Sequence, residues 1–190
     1  MENIWFVSDL HAWHTRIMEF CKETRRGSDA EEMTWLMVDA WNSLVNPADR
    51  VYCTGDFSFG SKTKIETFKK ALNGQIHLVL GNHDKIIKKD SNLRSLFASV
   101  QDYKTMKVAE HRFIMFHFPI AEWEDAHKGS IHIHGHVHGN KSNLEYQQKY
   151  KIFDAGIDAR PDNKMIPWHI DEVLYFMKNR DILSHHGEVE

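Results

Sequence analysis

The sequence predicts an α/β fold, in which short buried strands are flanked by helices. One observation is a series of apolar runs that end in polar residues, such as NIWFVSD at residues 3–9 and QIHLVLGNHD at residues 75–84. A second is that apolar residues recur at helical spacing between these runs. A chain of 190 residues, 42% of them apolar, can bury one substantial core. We therefore predict a single domain over residues 1–190.

Each predicted strand is an apolar run that leads into a turn or into charged or imidazole side chains. The first run starts close to the beginning of the chain, and the second, DRVYCTGD, ends in a Gly-Asp pair. Two later runs lead into histidine, a single one at the end of residues 111–119 and several at the end of residues 130–139. The runs lie at residues 3–8, 49–56, 75–84, 111–119, 130–139 and 150–158.

The predicted helices rest on apolar residues spaced three or four apart. In the second helix, Met33, Met37 and Leu44 belong to one apolar stripe, and Asn46-Pro47 ends the pattern. The third predicted helix is mostly polar, and the last is amphipathic. The four helices are predicted at residues 13–25, 29–45, 62–72 and 169–179.

Composition narrows the class of function. Fourteen histidines are unusually many, and histidine is the commonest metal ligand in proteins. The formal net charge of −3 provides no broad positive field for long nucleic acid, although a small anionic substrate remains open. Cys21 and Cys53 lack a C-x-x-C spacing, which favours a reducing compartment. Without a basic leader or a run of about 18 apolar residues, the chain is expected in the cytoplasm and not in a membrane.

The polar residues at the strand ends are carboxylate, imidazole and amide donors, which suit divalent cations such as manganese, iron or zinc. In an extended segment, Asp9 and His11 point to the same side and can bind one cation, and the same holds for His136 and His138. Seven candidates are too many for one site, but they suit two metals that share a bridging carboxylate. Asp56, in the middle of the order, could bridge. The candidate ligands are Asp9, His11, Asp56, Asn82, His117, His136 and His138.

These blocks also form an ordered signature along the chain. They are D-x-H at residues 9–11, G-D at 55–56, G-N-H-D at 81–84, a lone His117 and G-H-x-H at 135–138. On these motifs the sequence resembles the calcineurin-like metallophosphoesterases over residues 4–158. It is most similar to small bacterial and phage-type members that carry no cap domain.

The resemblance implies a fold and a distribution of the ligands. The fold would be a β-sandwich of two facing mixed sheets flanked by helices, with the site on loops at one edge. Asp56 would bridge two metal ions, each held by three further side chains. The resemblance assigns Asp9, His11 and His138 to one metal, and Asn82, His117 and His136 to the other.

The implied reaction is hydrolysis of a phosphoester with two divalent metal ions, which we expect to be manganese, with iron, zinc or nickel as alternatives. His83 lies beside Asn82 but is not needed as a ligand, so it can protonate the leaving group as a general acid. Asp84 would orient His83. The leading expectation is a phosphodiesterase whose partner is a small or nucleotide-derived phosphoester. A phosphomonoesterase, including one acting on phosphoprotein, and a non-catalytic scaffold stay open, as does the oligomeric state.

Two further groups of residues lie near these motifs. His132 and His134 alternate with isoleucines in a strand and are expected to support the site without binding metal. Four aromatic residues flank the ligand loops, where they either stack on a substrate or wall the pocket. These four are Trp13, Phe57, Phe59 and Trp123.

Overall fold

Two β-sheets face each other, with helices outside them, in the computed structural model, which describes residues 3–140 and 144–184. This confirms the predicted α/β class and the two facing mixed sheets. His185 and His186, which the polar composition of the C-terminal tail predicts to be disordered, lie outside the described residues.

The first sheet has five strands. They are β1 Ile4–Val7, β2 Arg50–Cys53, β3 Gln75–Val79, β4 Ser99–Gln101 and β9 Trp168–His169. The spatial order is β4-β3-β2-β1-β9, with β1 to β4 parallel and β9 antiparallel to β1. All four residues of β1 are buried, as expected of a strand covered on both faces, and its sequence IWFV therefore shows no polar alternation.

The second sheet has four strands. They are β5 Lys104–Val108, β6 His111–Met115, β7 Ile131–His134 and β8 Ile152–Asp154, in the order β5-β6-β7-β8. β5 pairs antiparallel with β6, while β6, β7 and β8 are parallel. The sequence did not predict β4, β5 or β9. β4 and β9 have only three and two residues, and β5 is a polar edge strand, so no apolar run marks any of them.

Aromatic side chains fill the space between the sheets. The ring of Phe6 from the first sheet packs 5.0 Å from Phe113 of the second and 5.8 Å from Tyr52, measured between centroids. On the other face of the first sheet, Trp41 and Phe68 from the covering helices are fully buried. Burial of each such side chain contributes about 1.5–3 kcal/mol, so both faces of this sheet hold it in place.

Seven α-helices surround the sheets in the described part of the chain. They are α1 Ile17–Phe20, α2 Ala30–Asn42, α3 Lys62–Ala71, α4 Lys85–Lys89, α5 Ser91–Arg94, α6 Leu144–Lys149 and α7 Ile170–Met177. The predicted helices at 29–45, 62–72 and 169–179 are confirmed as α2, α3 and α7. No helix among the described residues combines the length and the apolar character needed to cross a bilayer.

The predicted helix at residues 13–25 is wrong except for the single turn of α1. Trp13 has a φ of 65°, in the left-handed region, which a right-handed helix excludes. At the other end, Thr24 and Arg25 turn inward and bond to Asp158, far along the chain. Tertiary hydrogen bonds therefore override the local apolar spacing in this segment.

Backbone hydrogen bonds join the carboxyl ends of strands from both sheets. The N–H of Ser8 donates to the carbonyl of Ala155 at 2.8 Å, and the N–H of Asp9 donates to the carbonyl of Gly55 at 3.0 Å. Within the second sheet, Gly135 donates to His117 at 3.0 Å. The loops that follow β1, β2, β6, β7 and β8 consequently meet at one edge of the sandwich.

Candidate metal centre

All nine site residues predicted from the sequence lie in loops at this edge, directly after strands. β1 leads into Asp9 and His11, and β2 leads into the loop of Asp56. The loops after β3, β6 and β7 carry the others, which are Asn82, His83, Asp84, His117, His136 and His138. The topology thus brings together residues that are up to 129 positions apart in the chain, from Asp9 to His138.

The first group of donor atoms comes from Asp9, His11 and His138, whose candidate ligand atoms lie within 4.8 Å of one another. Nε2 of His11 is 3.8 Å from Oδ1 of Asp9. The expectation that Asp9 and His11 point to the same side because their segment is extended is wrong, since their φ angles are 55° and 48°. It is wrong for His136 and His138 as well, whose φ angles are 71° and 51°. The donors converge because the backbone coils in the left-handed region, not because the strand continues.

The second group joins Asn82, His117 and His136. Oδ1 of Asn82 lies 2.9 Å from Nε2 of His117 and 3.1 Å from Nδ1 of His136. Asp9 and Asp56 also place carboxylate oxygens within 4.8 Å of a ring nitrogen of His117. The three residues assigned to one metal by the family resemblance are therefore neighbours in space.

Asp56 lies between the two groups. Its Oδ2 is 3.5 Å from Nε2 of His11 and 3.5 Å from Nε2 of His117. A single carboxylate oxygen thus faces a histidine of each group at equal distance. This is the position in which a carboxylate can be shared by two cations.

Left-handed backbone is concentrated in these loops. Six non-glycine residues of the site region have positive φ angles, namely Asp9, His11, Trp13, Asp56, His136 and His138. Such conformations cost of order 1–3 kcal/mol each and persist only where the surroundings enforce them. Gly55, with φ of 105°, is also required, because a Cβ atom there would lie 2.6 Å from Nδ1 of His117. The fold therefore holds the donors in a strained, compact arrangement.

Hydrogen bonds at Nδ1 orient the imidazole rings of two candidate ligands. Nδ1 of His117 donates to the carbonyl of Thr54 at 2.7 Å, and Nδ1 of His138 donates to Oδ2 of Asp158 at 2.7 Å. In both rings this leaves Nε2 directed at the donor cluster. Histidines that bind metals characteristically use their second nitrogen in this way.

Asp158 and Arg25 are residues of the candidate site that the sequence analysis missed. Arg25 is buried, donates from Nε and Nη2 to Asp158 at 2.9 and 2.6 Å, and also donates to the carbonyls of Asp9 and Leu10. The only local signal is that Asp158 ends the run YKIFDAGID, as other acidic residues end their strands. Although burial opposes ionisation, the bonds to His138 and Arg25 hold the pKa of Asp158 well below its usual range.

Replacing Asp158 with asparagine is expected to weaken Mn²⁺ binding by about 10–100-fold, the usual cost of losing a carboxylate behind a ligand histidine. The measurement is isothermal titration of metal-free protein with Mn²⁺, after circular dichroism has shown that the variant is folded. Asp171→Asn, at a side chain 82% exposed on α7, is the matched control and should bind as wild type does. Wild-type affinity in Asp158→Asn would show that this hydrogen bond does not support the site.

The electrostatics of the cluster fit a bound cation. Burial raises the pKa of the Asp9 carboxyl to about 8, against the opposing effect of His138, and the nearby Asp154 and Asp56 carboxylates add to the rise. Burial likewise lowers the pKa of His11 to about 2. Nε2 of His11 is buried without a hydrogen-bond partner among the described residues. A divalent cation would satisfy this nitrogen and offset the buried carboxylates, so the residues present fit a metal site.

The expectation that Asp84 orients His83 is wrong. The carboxylate of Asp84 is buried and accepts hydrogen bonds from the backbone N–H groups of Gly81, Asp56 and Phe57 at 2.8 to 2.9 Å. Burial raises the pKa of Asp84 to about 7, against the effect of these bonds. The carboxylate of Asp84 therefore ties the loop after β3 to the loop of Asp56 and is used by these backbone groups.

His83 is exposed at the mouth of the site. Its N–H donates to Oδ1 of Asp56 at 2.8 Å, and its ring packs against Phe59 at 4.5 Å between centroids. Phe59 is also stacked on His14 at 3.8 Å, and Nδ1 of His14 lies 3.2 Å from Nδ1 of His11. His14 is a third residue, after Asp158 and Arg25, that the sequence analysis did not assign to the site. Its nitrogen can accept the Nδ1 proton of His11, which leaves Nε2 of His11 for the cluster.

The remaining histidines of the motif region support the loops. His132 is buried, with Nδ1 3.1 Å from the carbonyl of Ile114, while its Nε2 accepts from the N–H of Ile120 at 3.3 Å. His134 is also buried, and its Nδ1 lies 2.8 Å from the carbonyl of Gly135. Neither ring takes part in the two donor groups above.

The four flanking aromatic residues have different roles. Phe57 and Trp123 are buried in apolar clusters and are not available for stacking on a substrate. Trp13 packs under Nζ of Lys64. Phe59 alone among the four contacts His11 and His83 at the candidate metal centre.

Comparison with known proteins gives one family match and several relatives. A family model described as the calcineurin-like phosphoesterase superfamily domain matches residues 3–163. An uncharacterized protein of Methanocaldococcus jannaschii is 31% identical over 142 residues, which cover 74% of this chain and 72% of that protein. The Gene 66 protein of Mycobacterium phage L5 is 30% identical over 186 residues, covering 84% of this chain and 88% of the phage protein.

Among solved structures, a protein of unknown function from Aquifex aeolicus superposes with a TM-score of 0.71 and 23% sequence identity. The match covers 93% of this chain and 100% of the Aquifex chain. At this identity the likeness concerns the fold, and it extends over nearly the whole described sandwich.

Proposed function

The chain belongs to the calcineurin-like phosphoesterase superfamily, and on that premise we propose that it is a dinuclear metal phosphodiesterase acting on a small or nucleotide-derived ester. Membership in the superfamily makes it a metal-dependent phosphoester hydrolase. The proposal adds the number of metals, the diester preference and the size of the substrate.

The position of Asp56 is the observation that carries the dinuclear proposal. One oxygen of this carboxylate lies 3.5 Å from a histidine of each donor group. One metal would be held by Asp9, His11 and His138. The other would be held by Asn82, His117 and His136, and Asp56 would contribute to both. When bound, two divalent cations supply a nucleophile from water at neutral pH and offset the charge of the phosphate oxygens. The donor set of oxygen and imidazole nitrogen supports manganese, with iron, zinc or nickel as alternatives.

The chain's own residues supply orientation and a proton. Thr54 and Asp158 hold the rings of His117 and His138, and His14 does the same for His11. His83 is anchored through its backbone to Asp56, while its exposed ring is free to reach a leaving-group oxygen. We assign His83 the role of general acid, which protonates the departing alkoxide.

Removal of metal provides the direct test of the proposed function. Dialysis against a chelator is expected to abolish hydrolysis of bis-p-nitrophenyl phosphate, and added Mn²⁺ should restore it, because the nucleophile depends on the bound cations. Iron, zinc and nickel are compared with manganese at equal metal content, as measured by atomic emission. Unchanged turnover in protein shown to be metal-free would contradict the proposal.

The same assay separates diester from monoester activity. A higher kcat/KM on bis-p-nitrophenyl phosphate than on p-nitrophenyl phosphate is expected for a phosphodiesterase. The opposite order would assign the protein as a phosphomonoesterase instead.

A cytoplasmic location is also part of the proposal. Cys21 and Cys53 are both free thiols, which supports a reducing compartment. The formal net charge of −3 supports a small phosphoester as the partner in place of a long nucleic acid.

A further inference from the structure

Three aromatic side chains form a row that ends at the candidate metal centre. This aromatic row consists of Tyr103, Phe116 and Phe118. Ring centroids are 6.4 Å apart from Tyr103 to Phe116 and 5.8 Å apart from Phe116 to Phe118. Tyr103 is 42% and Phe118 36% exposed, although both are large and largely apolar side chains. Solvent-facing rings beside a polar site provide a surface on which flat groups can stack.

Phe118 connects this row to the metal ligands. It directly follows His117 in the chain, and its ring meets those of His117 and His136 edge to face, with centroids 4.9 and 4.6 Å apart. Both histidines are assigned to the same metal in the proposed function. A group attached to a phosphate at that metal would therefore lie next to the exposed part of Phe118.

The row is held in place before any ligand binds. His132 bonds to the carbonyl of Ile114 and accepts from the N–H of Ile120, so it clamps both ends of the segment that carries His117 and Phe118. Phe116 is half-buried under Phe118. A preorganised ring surface loses little entropy when a ligand stacks on it, which favours binding.

We propose that the aromatic row is the subsite for a flat aromatic group, of which a nucleobase is the biological class, carried by one ester arm of a phosphodiester substrate. This inference rests on the proposed function, because it places the phosphate at the metal centre. The ring of Phe59 contacts His11 of the other donor group, and it also contacts His83. An aromatic ring therefore lies beside each of the two donor groups. A diester offers a substituent to each side of its phosphate, whereas a monoester offers only one.

A matched pair of substrates tests the subsite. Thymidine 5′-(p-nitrophenyl phosphate) and methyl p-nitrophenyl phosphate release the same leaving group and differ only in the other arm. Stacking of one base predicts that kcat/KM is about 5- to 150-fold higher for the thymidine ester. The ratio of the two kcat/KM values is the measurement, so a general loss of activity in a variant does not affect it.

Variants of Phe118 complete the test. Phe118→Ala and Phe118→Leu should bring the ratio close to one, since leucine keeps apolar bulk but lacks a flat ring, while Phe118→Tyr should keep the ratio. Tyr175→Ala, at an aromatic side chain 77% exposed on α7, is the control and should change neither substrate. Hydrolysis of both esters with no preference in wild type, or a preference that survives Phe118→Leu and Phe118→Ala, would overturn this inference alone. Failure to hydrolyse either ester with Mn²⁺ would instead overturn the proposed function, and this inference with it.

Discussion

Replacing Asp56 with alanine is expected to remove both metals together and to lower turnover by about 10³-fold or more. The structural reason is that one oxygen of Asp56 faces Nε2 of both His11 and His117 at 3.5 Å. Loss of a shared carboxylate therefore weakens both coordination shells at once. Metal catalysis is worth several kcal/mol, at about 1.4 kcal/mol for each tenfold change in rate.

Metal content and rate are measured on the same Asp56→Ala sample. Equilibrium dialysis with Mn²⁺ gives the number of bound equivalents, and bis-p-nitrophenyl phosphate hydrolysis gives the turnover. Asp171→Asn removes an exposed carboxylate on α7 and should keep both values at wild type. A variant that binds one full equivalent of Mn²⁺ with wild-type affinity would show that Asp56 belongs to one metal only.

Replacing His83 with alanine or asparagine is expected to slow turnover by roughly 10²–10⁴-fold, the usual worth of a positioned proton transfer. Metal content should stay close to wild type, because the side chain of His83 is exposed and only its backbone N–H bonds to Asp56. This separates His83 from the ligands His117 and His138, whose loss should reduce metal binding and rate in parallel.

The leaving group distinguishes a general acid from a residue that binds substrate. A p-nitrophenolate leaves without a proton, whereas a dinucleoside monophosphate releases a basic alkoxide that needs one. His83→Asn should therefore be impaired far more on the dinucleotide than on bis-p-nitrophenyl phosphate. His111→Asn, on β6, is the control histidine. An equal loss on both substrates would make His83 a binding residue, and a loss of metal would make it a ligand.

Asp84 shows how a motif can be correct in position and wrong in role. Its place in G-N-H-D suggests contact with His83, which precedes it. In the structure its carboxylate points into the protein and accepts three backbone N–H groups from the loops of Asp56 and Gly81. Neighbours in a turn can point in opposite directions, so adjacency in the sequence does not determine contact between side chains.

The strands and helices that the sequence predicted are those with a strong local pattern. β1, β2, β3, β6, β7 and β8 have apolar runs, and α2, α3 and α7 have apolar spacing. β4, β5 and β9 are short or polar, and they exist because a neighbouring strand offers unpaired backbone groups at a sheet edge. Residues 13–25 have helical spacing but are bent by bonds to distant residues. Local pattern is sufficient only where no distant partner competes.

The sequence by itself determined the α/β class, the chemical types of the candidate ligands and their order along the chain. These properties depend on residue identity and on spacing over a few positions, which the chain displays directly. Only the tertiary structure placed Asp56 between two histidine groups, brought Arg25 within hydrogen-bond distance of Asp158, and set Phe118 beside His136. Arg25 and Asp158 are 133 positions apart, and their contact arises from the packing of two sheets whose strand ends share one edge. Distances of this kind follow from closure of the whole fold and are not specified by any short segment of it.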